Sequence, residues 1–192
     1  MGKNIAILAS GNGTNAENII RYFREKGTAR VALVLTNRQA AYVLQRARDL
    51  DVPALYFNKE EWADGRPVLQ ALQAHAVDFV VLAGFLARVP DNILHAYPQR
   101  MVNIHPSLLP KFGGKGMYGD RVHQAVLAAG EAESGITIHY TNEQYDEGAI
   151  IRQYACPVLP DDTPDTLAVR VHRLEYAHYP EVIEALVQAL PG

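Results

Sequence analysis

Short continuous apolar runs alternate with longer stretches of helical spacing along the first half of the chain, and this alternation constrains the fold more than any other feature. The apolar runs cover residues 5–9, 31–35, 54–57, 79–83 and 101–104. Helical spacing covers residues 15–26, 40–50 and 66–75. Apolar strands that alternate with helices form parallel sheets covered on both faces, and right-handed crossovers then favour a doubly wound arrangement. The sequence therefore predicts an α/β fold with a doubly wound, mostly parallel sheet.

The second half of the chain has a different pattern. Residues 135–140 and 149–158 alternate between apolar and polar, which predicts an antiparallel or mixed extension of the sheet. Helical spacing begins after Asp162 or Thr163, either of which can cap a helix that starts at Pro164. We expect Pro180 to kink or break this helix. No linker rich in Pro, Gly or Ser divides the chain, so we predict a single domain over residues 1–192.

The composition excludes several classes of function. The formal net charge of the 192 residues is −3, so the surface has no overall attraction for nucleic acid phosphates. The longest apolar run is about half the length of a membrane span, and we expect no targeting segment. The single cysteine, Cys156, can build neither a disulfide framework nor a thiolate zinc site. We therefore expect a cytoplasmic protein that binds small molecules and neither nucleic acid nor membranes. We also expect a monomer or a homodimer, a choice that the sequence does not decide.

The first candidate site is the glycine-rich turn between the first predicted strand and helix. Gly11-x-Gly13-x-x-Ala16 fits the dinucleotide fingerprint, which also expects an acidic residue after the second strand. That place holds Thr36-Asn37-Arg38, which argues against NAD and leaves NADP open through Arg38. Such a turn also presents backbone N–H groups to a single phosphate at the start of a helix. We favour a single phosphate, and a merely tight turn remains an alternative.

The second candidate site is the end of the fifth apolar run. Asn103 and His105 are two residues apart on a predicted strand, so their side chains should point to the same side. Pro106 and Pro110 then end the strand and stiffen its exit. Ligands in doubly wound sheets bind at the carboxyl ends of the strands. The pair is either a catalytic donor and titratable group, or a satisfied pair in the core.

Two further polar segments could contribute to a site. Asp146 lies in an acidic turn that is either solvated or folded back towards His105, where a carboxylate would favour the charged imidazole. On the last predicted helix, His172, Glu175 and His178 share a face. We interpret that face as part of a substrate pocket or as solvated surface rather than as a metal site, because the sequence supplies no evident further ligand set.

Together, five segments resemble the folate-dependent glycinamide ribonucleotide formyltransferases over nearly the whole chain. They are residues 10–15 (SGNGTN), 82–86 (LAGFL), 103–110 (NIHPSLLP), 135–137 (GIT) with the later Asp146-x-Gly148, and 175–180 (EYAHYP). The run Asn-x-His-Pro-Ser-Leu-Leu-Pro followed by a distant Asp-x-Gly is specific to folate-dependent formyltransferases and their close relatives. The resemblance implies a Rossmann-like formyltransferase fold.

This resemblance implies a reaction and assigns residues to it. The formyl donor would be 10-formyltetrahydrofolate as co-substrate, the acceptor would be the amine of 5-phosphoribosylglycinamide, and no metal would be needed. The implied catalytic residues are Asn103, His105 and Asp146. Gly13, Thr14 and Asn15 would hold the phosphate of the acceptor, and Glu175 would hold its ribose hydroxyls. The implied folate contacts are Asn103, Arg66, Leu86, Ala87, Arg88 and Val89.

Related activities remain open as alternatives. A formyltetrahydrofolate deformylase uses a similar trio with water as acceptor, and an amino-sugar formyltransferase uses a different amine. An NADP-binding protein is the alternative from another class. Residues 113–120 depart from the shorter Pro-Gly loop of many relatives. Lys115 in this loop either supplies charge to a phosphate or is solvated.

Overall fold

The structure, a computed structural model that describes residues 2–144 and 146–192, contains strands and helices in alternation. The strands are β1 Lys3–Leu8, β2 Ala29–Thr36, β3 Ala54–Tyr56, β4 Phe79–Leu82, β5 Met101–His105, β6 Glu133–Tyr140 and β7 Ile150–Pro157. The helices are α1 Thr14–Lys26, α2 Val43–Asp49, α3 Lys59–Asp64, α4 Arg66–Ala74, α5 Asp91–Ala96, α6 Asp120–Ala128 and α7 Pro164–Gln188. Every strand predicted from the sequence is present.

The strands form one sheet in the order β3-β2-β1-β4-β5-β6-β7. The pairs β1–β2, β1–β4, β2–β3 and β4–β5 are parallel. The pair β6–β7 is antiparallel. The strand order therefore grows outwards in both directions from β1, as expected for a doubly wound sheet. This confirms the predicted fold class, including its antiparallel extension.

The described residues fall into two compact units, of which the first contains residues 2–102 and 180–192. Its core is built around the parallel strands. Ala6 and Leu8 of β1 are completely buried in one cluster with Trp62 and Leu72 from the helices. Ile5 and Ile7 are also completely buried and, by strand alternation, point to the opposite face. Burial on both faces explains why these strands are continuous apolar runs, since each Å² of apolar surface removed from water contributes roughly 25 cal/mol.

The second unit contains Asn103–Tyr179 and includes the β6–β7 hairpin. The register of this hairpin shifts by one residue between Ile138 and His139. Such a bulge re-aims the side chains beside it. The division into units does not test the single domain predicted from the sequence, which stays a prediction.

Helix α7 begins as predicted but does not break at Pro180. Thr163 Oγ1 accepts a hydrogen bond from Thr166 N at 3.3 Å, so Thr163 caps a helix whose first residue is Pro164. The helix then continues through Pro180 to Gln188. A proline removes a single backbone donor, and the neighbouring Tyr179 and Ile183 are both fully buried. Packing of the apolar face on both sides of the proline outweighs the lost hydrogen bond.

Three short helices were not predicted from the sequence. They are α3, α5 and α6, of six, six and nine residues. Helix α3 carries a capping box, in which Asn58 Oδ1 accepts from Glu61 N at 2.9 Å and Glu61 Oε2 accepts from Asn58 N at 2.7 Å. None of the helices formed by the described residues is long and apolar enough to cross a membrane.

Candidate active site

The carboxyl end of β5 is held rigidly by its exit segment. Thr137 on β6 is completely buried, and its hydroxyl donates to Ser107 O at 2.7 Å. The same hydroxyl accepts from Leu109 N at 3.0 Å. Gln153 Nε2 donates to Leu109 O at 2.9 Å. These bonds join the residues after His105 to the β6–β7 hairpin, so the strand end that carries Asn103 and His105 has little freedom to move.

Asn103 and His105 both lie on β5, two residues apart, as predicted. Asn103 is half-buried and His105 is 4% exposed. His105 Nε2 lies 2.7 Å from the carbonyl oxygen of Phe112, and because a carbonyl only accepts, this nitrogen carries a proton. His105 Nδ1 lies 3.5 Å from Asp146 Oδ2. The structure therefore places Asp146 beside His105. The sequence had left open whether Asp146 folds back to His105 or is solvated.

The two residues whose groups face the His105 ring have an unusual backbone conformation. Phe112 and Asp146 both adopt the left-handed conformation, with φ of 57° and 56°. This conformation costs on the order of 1–2 kcal/mol for a residue with a side chain, and such costs concentrate at functional sites. In this site, the left-handed conformations direct the Phe112 carbonyl and the Asp146 carboxylate towards the two nitrogens of the His105 imidazole.

Gly148 explains the spacing of the Asp-x-Gly segment. A Cβ atom on Gly148 would lie 1.6 Å from the carbonyl oxygen of Tyr140, so only glycine fits against this backbone. The turn that carries Asp146 can therefore return close to the end of β6. On the other side, Gly114 N donates to Asp146 Oδ2 at 2.9 Å.

The two ionisable groups have pKa values that burial and contacts move in defined directions. Burial lowers the pKa of His105, and this effect is larger than the raising effects of the Asp146 carboxylate and the Phe112 carbonyl. Burial alone would raise the pKa of Asp146, but contacts with His139, His105 and Gly114 N together outweigh it, and the pKa lies below its ordinary value. The pair therefore favours an ionised Asp146 beside a neutral His105.

The sequence did not single out His139 as a functional residue. Its side chain on β6 is 2% exposed, and Nε2 lies 3.6 Å from Asp146 Oδ1. The signal that could have found it is a histidine at the strand end that precedes the Asp-x-Gly turn. Thr137 was also missed as a functional residue, because a threonine in a strand is ordinary.

Glu175 lies on helix α7, as predicted, and belongs to the second unit. His172 Nδ1 lies 3.1 Å from Glu175 Oε2, and this contact is the main cause that raises the pKa of His172. Glu175 also acts electrostatically on His105 and His123. His178 instead stacks on Tyr154, with ring centroids 3.6 Å apart.

No metal centre is evident at this helix. Within residues 2–144 and 146–192, no three His, Cys, Asp or Glu side chains are grouped as ligands for a metal ion. The absence of a metal requirement stays a prediction.

The glycine-rich turn lies in the first unit, at the start of α1. Gly13 has φ of 79°, and a Cβ atom there would lie 2.5 Å from Val43 Cγ2, so the position requires glycine. Arg46 Nε donates to Asn12 O at 2.7 Å and also pairs with Glu17. Thr14 and Asn15 form the first turn of α1. Helix α2 therefore supports the turn from the outside, and the helix start offers its backbone N–H groups to an anion.

Ser10 connects this turn to the segment after β4. Its hydroxyl donates to Asn37 Oδ1 at 2.6 Å and accepts from Leu86 N at 2.9 Å. Ser10 N donates to Gly84 O at 3.0 Å. The first unit thus brings Gly13, Thr14 and Asn15 into the same neighbourhood as Leu86. The sequence contained Ser10 in its motif without assigning it a role.

The remaining predicted folate contacts lie in the first unit, and all of them except the buried Val89 are exposed or partly exposed. Arg66 is the first residue of α4 and pairs with Asp64 at 2.7 Å. Arg88 pairs with Asp91 at 2.7 Å, next to the buried Val89. Leu86 is 39% exposed, and Ala87 is partly buried. The structure does not test their roles as folate contacts, which stay predictions.

Comparison with known proteins points to one family. A sequence model of the formyl transferase family matches residues 3–183. The phosphoribosylglycinamide formyltransferase of Bacillus subtilis is 37% identical over 190 residues, which cover 96% of this chain and 95% of that protein. The chloroplastic phosphoribosylglycinamide formyltransferase of Arabidopsis thaliana is 41% identical over 192 residues.

Solved structures agree with these sequence comparisons. The crystal structure of glycinamide ribonucleotide transformylase 1 from Symbiobacterium toebii superposes with a TM-score of 0.90 and 37% identity, over 100% of this chain and 92% of that chain. The phosphoribosylglycinamide formyltransferase of Bacillus halodurans superposes with a TM-score of 0.88 and 36% identity, over 97% of this chain and 96% of that chain. The alignment covers 97% of this chain but 66% of the Arabidopsis relative, and 61% of the chloroplastic relative from Vigna unguiculata.

Proposed function

The chain belongs to the formyl transferase family, and from that premise we propose that it transfers the formyl group of 10-formyltetrahydrofolate to the amine of 5-phosphoribosylglycinamide in purine synthesis. The observation that carries the proposal is the approach of Asp146 Oδ2 to within 3.5 Å of Nδ1 of the buried His105, which ends β5 two residues after Asn103. The match to the family model and the identity to its members confirm the family that the sequence motifs predict.

The proposed reaction begins with attack of the acceptor amine on the formyl carbon. A bond forms between that nitrogen and the carbon, and the carbonyl electrons move onto oxygen to give a tetrahedral oxyanion. Asn103 donates a hydrogen bond to this oxygen, and a donor of this kind contributes on the order of 10²–10³ in turnover. The carbon–nitrogen bond to the folate then breaks, and the proton lost by the amine reaches the leaving nitrogen.

His105 has two uses in this scheme. A neutral imidazole carries one N–H, so Nε2 can donate to the oxyanion when its bond to the Phe112 carbonyl opens. The neutral ring can also take the amine proton, with Asp146 stabilising the imidazolium that results. Positioned proton transfer contributes on the order of 10²–10⁴. The lowered pKa of His105 suits a base that must be neutral before the reaction.

The residues that the family resemblance assigns to the two substrates are proposed to bind them. Gly13, Thr14 and Asn15 are proposed to hold the phosphate of the acceptor, because the start of α1 presents N–H groups to an anion. Glu175 is proposed to accept hydrogen bonds from the ribose hydroxyls. Arg66, Asn103 and the segment from Leu86 to Val89 are proposed to contact the folate. Cytoplasmic location and a monomeric or homodimeric state remain predictions.

An acceptor-dependence assay tests the function. Purified protein is mixed with 10-formyltetrahydrofolate, with and without phosphoribosylglycinamide, and the absorbance of the folate product is followed. Acceptor-dependent turnover is the expected result. Loss of formyl groups without acceptor would indicate a deformylase, and turnover only with an amino sugar would indicate that acceptor class instead.

A further inference from the structure

Three neighbouring strands of the first unit, β2, β1 and β4, end side by side around Ser10. On one side, Ala9 N donates to Leu35 O at 3.0 Å, so the chain that leaves β1 is still paired with the end of β2. On the other side, Ser10 N donates to Gly84 O at 3.0 Å, in the segment after β4. Ser10 itself is 1% exposed, so its hydroxyl must find its hydrogen-bond partners within the protein.

The hydroxyl of Ser10 has one proton and two partners. Its oxygen lies 2.6 Å from Asn37 Oδ1 and 2.9 Å from Leu86 N. A backbone N–H only donates, so Ser10 Oγ accepts from Leu86. The hydroxyl proton then goes to Asn37 Oδ1, because an amide oxygen only accepts. The hydrogen bonds therefore run in one direction, from Leu86 N through Ser10 Oγ to Asn37 Oδ1, and we call this chain of three atoms the Ser10 relay.

Asn37 belongs to the segment after β2 that the dinucleotide fingerprint leaves unexplained. The backbone on either side of this residue is held in place. Thr36 is completely buried, and its hydroxyl accepts from Arg38 N at 3.2 Å. The carbonyl oxygen of Thr36 accepts from Phe57 N at 3.1 Å. The amide of Asn37 is thus carried by a fixed strand end, and its oxygen is used within the protein.

Leu86 begins the segment that is proposed to contact the folate, residues 86–89. The chain turns after β4 at Gly84, which has φ of 71°. Beyond this turn the bonds between neighbouring strands no longer hold the backbone, and the side chain of Leu86 is 39% exposed. The bond from Leu86 N to Ser10 therefore limits the movement of a segment that has just left the sheet.

From this geometry we propose that Asn37 is a positioning residue for the formyl donor. By accepting the proton of Ser10, it leaves a lone pair of Ser10 for the N–H of Leu86, and so keeps residues 86–89 ordered before the folate binds. The proposal rests on the proposed function for the identity of the donor, whereas the Ser10 relay itself does not. A ligand that binds to an ordered segment avoids the entropic cost of ordering it. Asn37 should therefore affect donor binding rather than the chemical step.

Three substitutions test the relay. Asn37→Ala removes the acceptor, whereas Asn37→Asp keeps an oxygen that only accepts at the same place. Ser10→Ala removes both bonds of the hydroxyl. Asn4→Ala is the matched control, because Asn4 is an equally half-buried asparagine of the first unit at the opposite end of β1, where Nδ2 donates to Ala76 O at 3.1 Å.

The expected result is a selective change in KM. We expect Asn37→Ala to raise KM for 10-formyltetrahydrofolate by about three- to tenfold, with kcat and KM for phosphoribosylglycinamide within about twofold of the parent values. Asn37→Asp and Asn4→Ala should keep KM for both substrates within about twofold. An unchanged donor KM in Asn37→Ala would overturn the proposal. A loss in Asn37→Asp as large as that in Asn37→Ala would also overturn it, because Asn37 would then be a donor to Ser10.

A double-mutant cycle tests whether Asn37 acts through Ser10. Ser10→Ala should raise the donor KM at least as much as Asn37→Ala, because it also removes the bond to Leu86. Adding Asn37→Ala to Ser10→Ala should then change the donor KM by less than about twofold, since residues of one hydrogen-bond network are not additive. Effects of the two substitutions that simply multiply would contradict the relay.

Hydrogen exchange separates this proposal from the proposed function. In the unliganded protein, Asn37→Ala should make the amide of Leu86 exchange at least about fivefold faster. The amide of Ala83, which donates to Leu8 O at 2.9 Å, is the internal control and should not change. Equal exchange at Leu86 in the variant and the parent protein, or equal acceleration at both amides, would overturn the proposal even if formyl transfer is observed. If the parent protein shows no turnover, the proposed function fails, and the exchange of Leu86 together with the affinity for 10-formyltetrahydrofolate alone still decides the role of Asn37.

Discussion

At the scale of single residues, burial decides the protonation of the candidate catalytic pair. The sequence predicted that Asp146, if it folded back, would make His105 more basic. Asp146 acts in that direction, but removing the ring from water has the larger effect, and the pKa of His105 is lowered. The sequence could not supply this balance, because the depth of burial at the end of β5 is known only once the exit segment is in place.

Gly13 provides a residue-scale prediction about the glycine-rich turn before α1. Gly13 and Gly27 both have positive φ, at 79° and 69°, but only Gly13 has a neighbour where a Cβ would lie. Gly27→Ala should lower the free energy of unfolding by roughly 1–2 kcal/mol, the cost of the left-handed conformation. Gly13→Ala should lower it by about 1–3 kcal/mol more, because Val43 must move.

Denaturant unfolding of the two variants measures this difference. Gly27→Ala, at the other end of the same helix, is the matched control for backbone strain. The double variant Gly13→Ala with Val43→Ala should recover the part of the loss that is due to the clash. Equal losses in the two single variants would show that the turn relaxes without help from α2.

At the scale of elements, the entry to α7 is held by one carboxylate. Asp162 accepts from Leu159 N at 2.7 Å and from Arg170 Nη1 at 2.7 Å. Arg170 Nη2 donates to its second oxygen at 3.0 Å, which makes the ion pair bidentate. Together these contacts hold the pKa of Asp162 well below its ordinary value of 3.8, and the contact with Arg170 has the largest effect.

This arrangement predicts a stability difference that depends on pH. A carboxyl with a lowered folded-state pKa contributes stability that is complete above its unfolded pKa and is lost as the pH falls through the folded value. Asp162→Asn should therefore be less stable than the parent protein at pH 7. The difference in the free energy of unfolding between the two proteins should narrow below about pH 4, since only the parent protein takes up a proton at this site.

Urea unfolding of both proteins at pH 7, 4 and 2.5 measures the gap. Asp161→Asn is the matched control, because it removes the same charge from the same segment, and the structure shows no bond from Asp161 to Arg170 comparable to those of Asp162. A gap that stays constant down to pH 2.5 would show that Asp162 acts as a neutral hydrogen-bond acceptor rather than as an anion.

Secondary structure was predictable where burial sets a clear period. Strands buried on both faces are continuous apolar runs, and all of them were predicted, although their ends moved by one or two residues. Helices α3 and α5 have six residues each, which is too few for a helical period to be visible. The capping box of Asn58 and Glu61 was the remaining local signal for α3. The helix break predicted at Pro180 does not occur, because tertiary packing, which a local sequence pattern does not contain, outweighs the lost hydrogen bond.

The candidate site was predictable where its residues share a strand or a motif. Asn103 and His105 could be paired from strand alternation, and Glu175 and the glycine turn from the family resemblance. His139 could not be assigned, because its contact with Asp146 needs both the register shift in β6–β7 and the return of the Asp-x-Gly turn. Long-range backbone geometry of this kind leaves no periodic trace in the sequence.

At the scale of the whole molecule, the chain is proposed to be a formyltransferase in which Asn103, His105 and Asp146 carry the chemistry. The glycine turn and the segment after β4 belong to the first unit, and the histidine–carboxylate pair belongs to the second. If the three residues carry the chemistry, loss of the single imidazole at the end of β5 abolishes most of the turnover of the intact chain.

The most direct measurement compares His105→Ala with the parent protein and with His95→Ala, which changes an exposed histidine on α5. Turnover is followed with 10-formyltetrahydrofolate and phosphoribosylglycinamide at saturating concentrations. We expect kcat to fall on the order of 10²-fold or more in His105→Ala and to stay near the parent value in His95→Ala. Near-parental turnover of a folded His105→Ala protein would contradict the proposed role of His105.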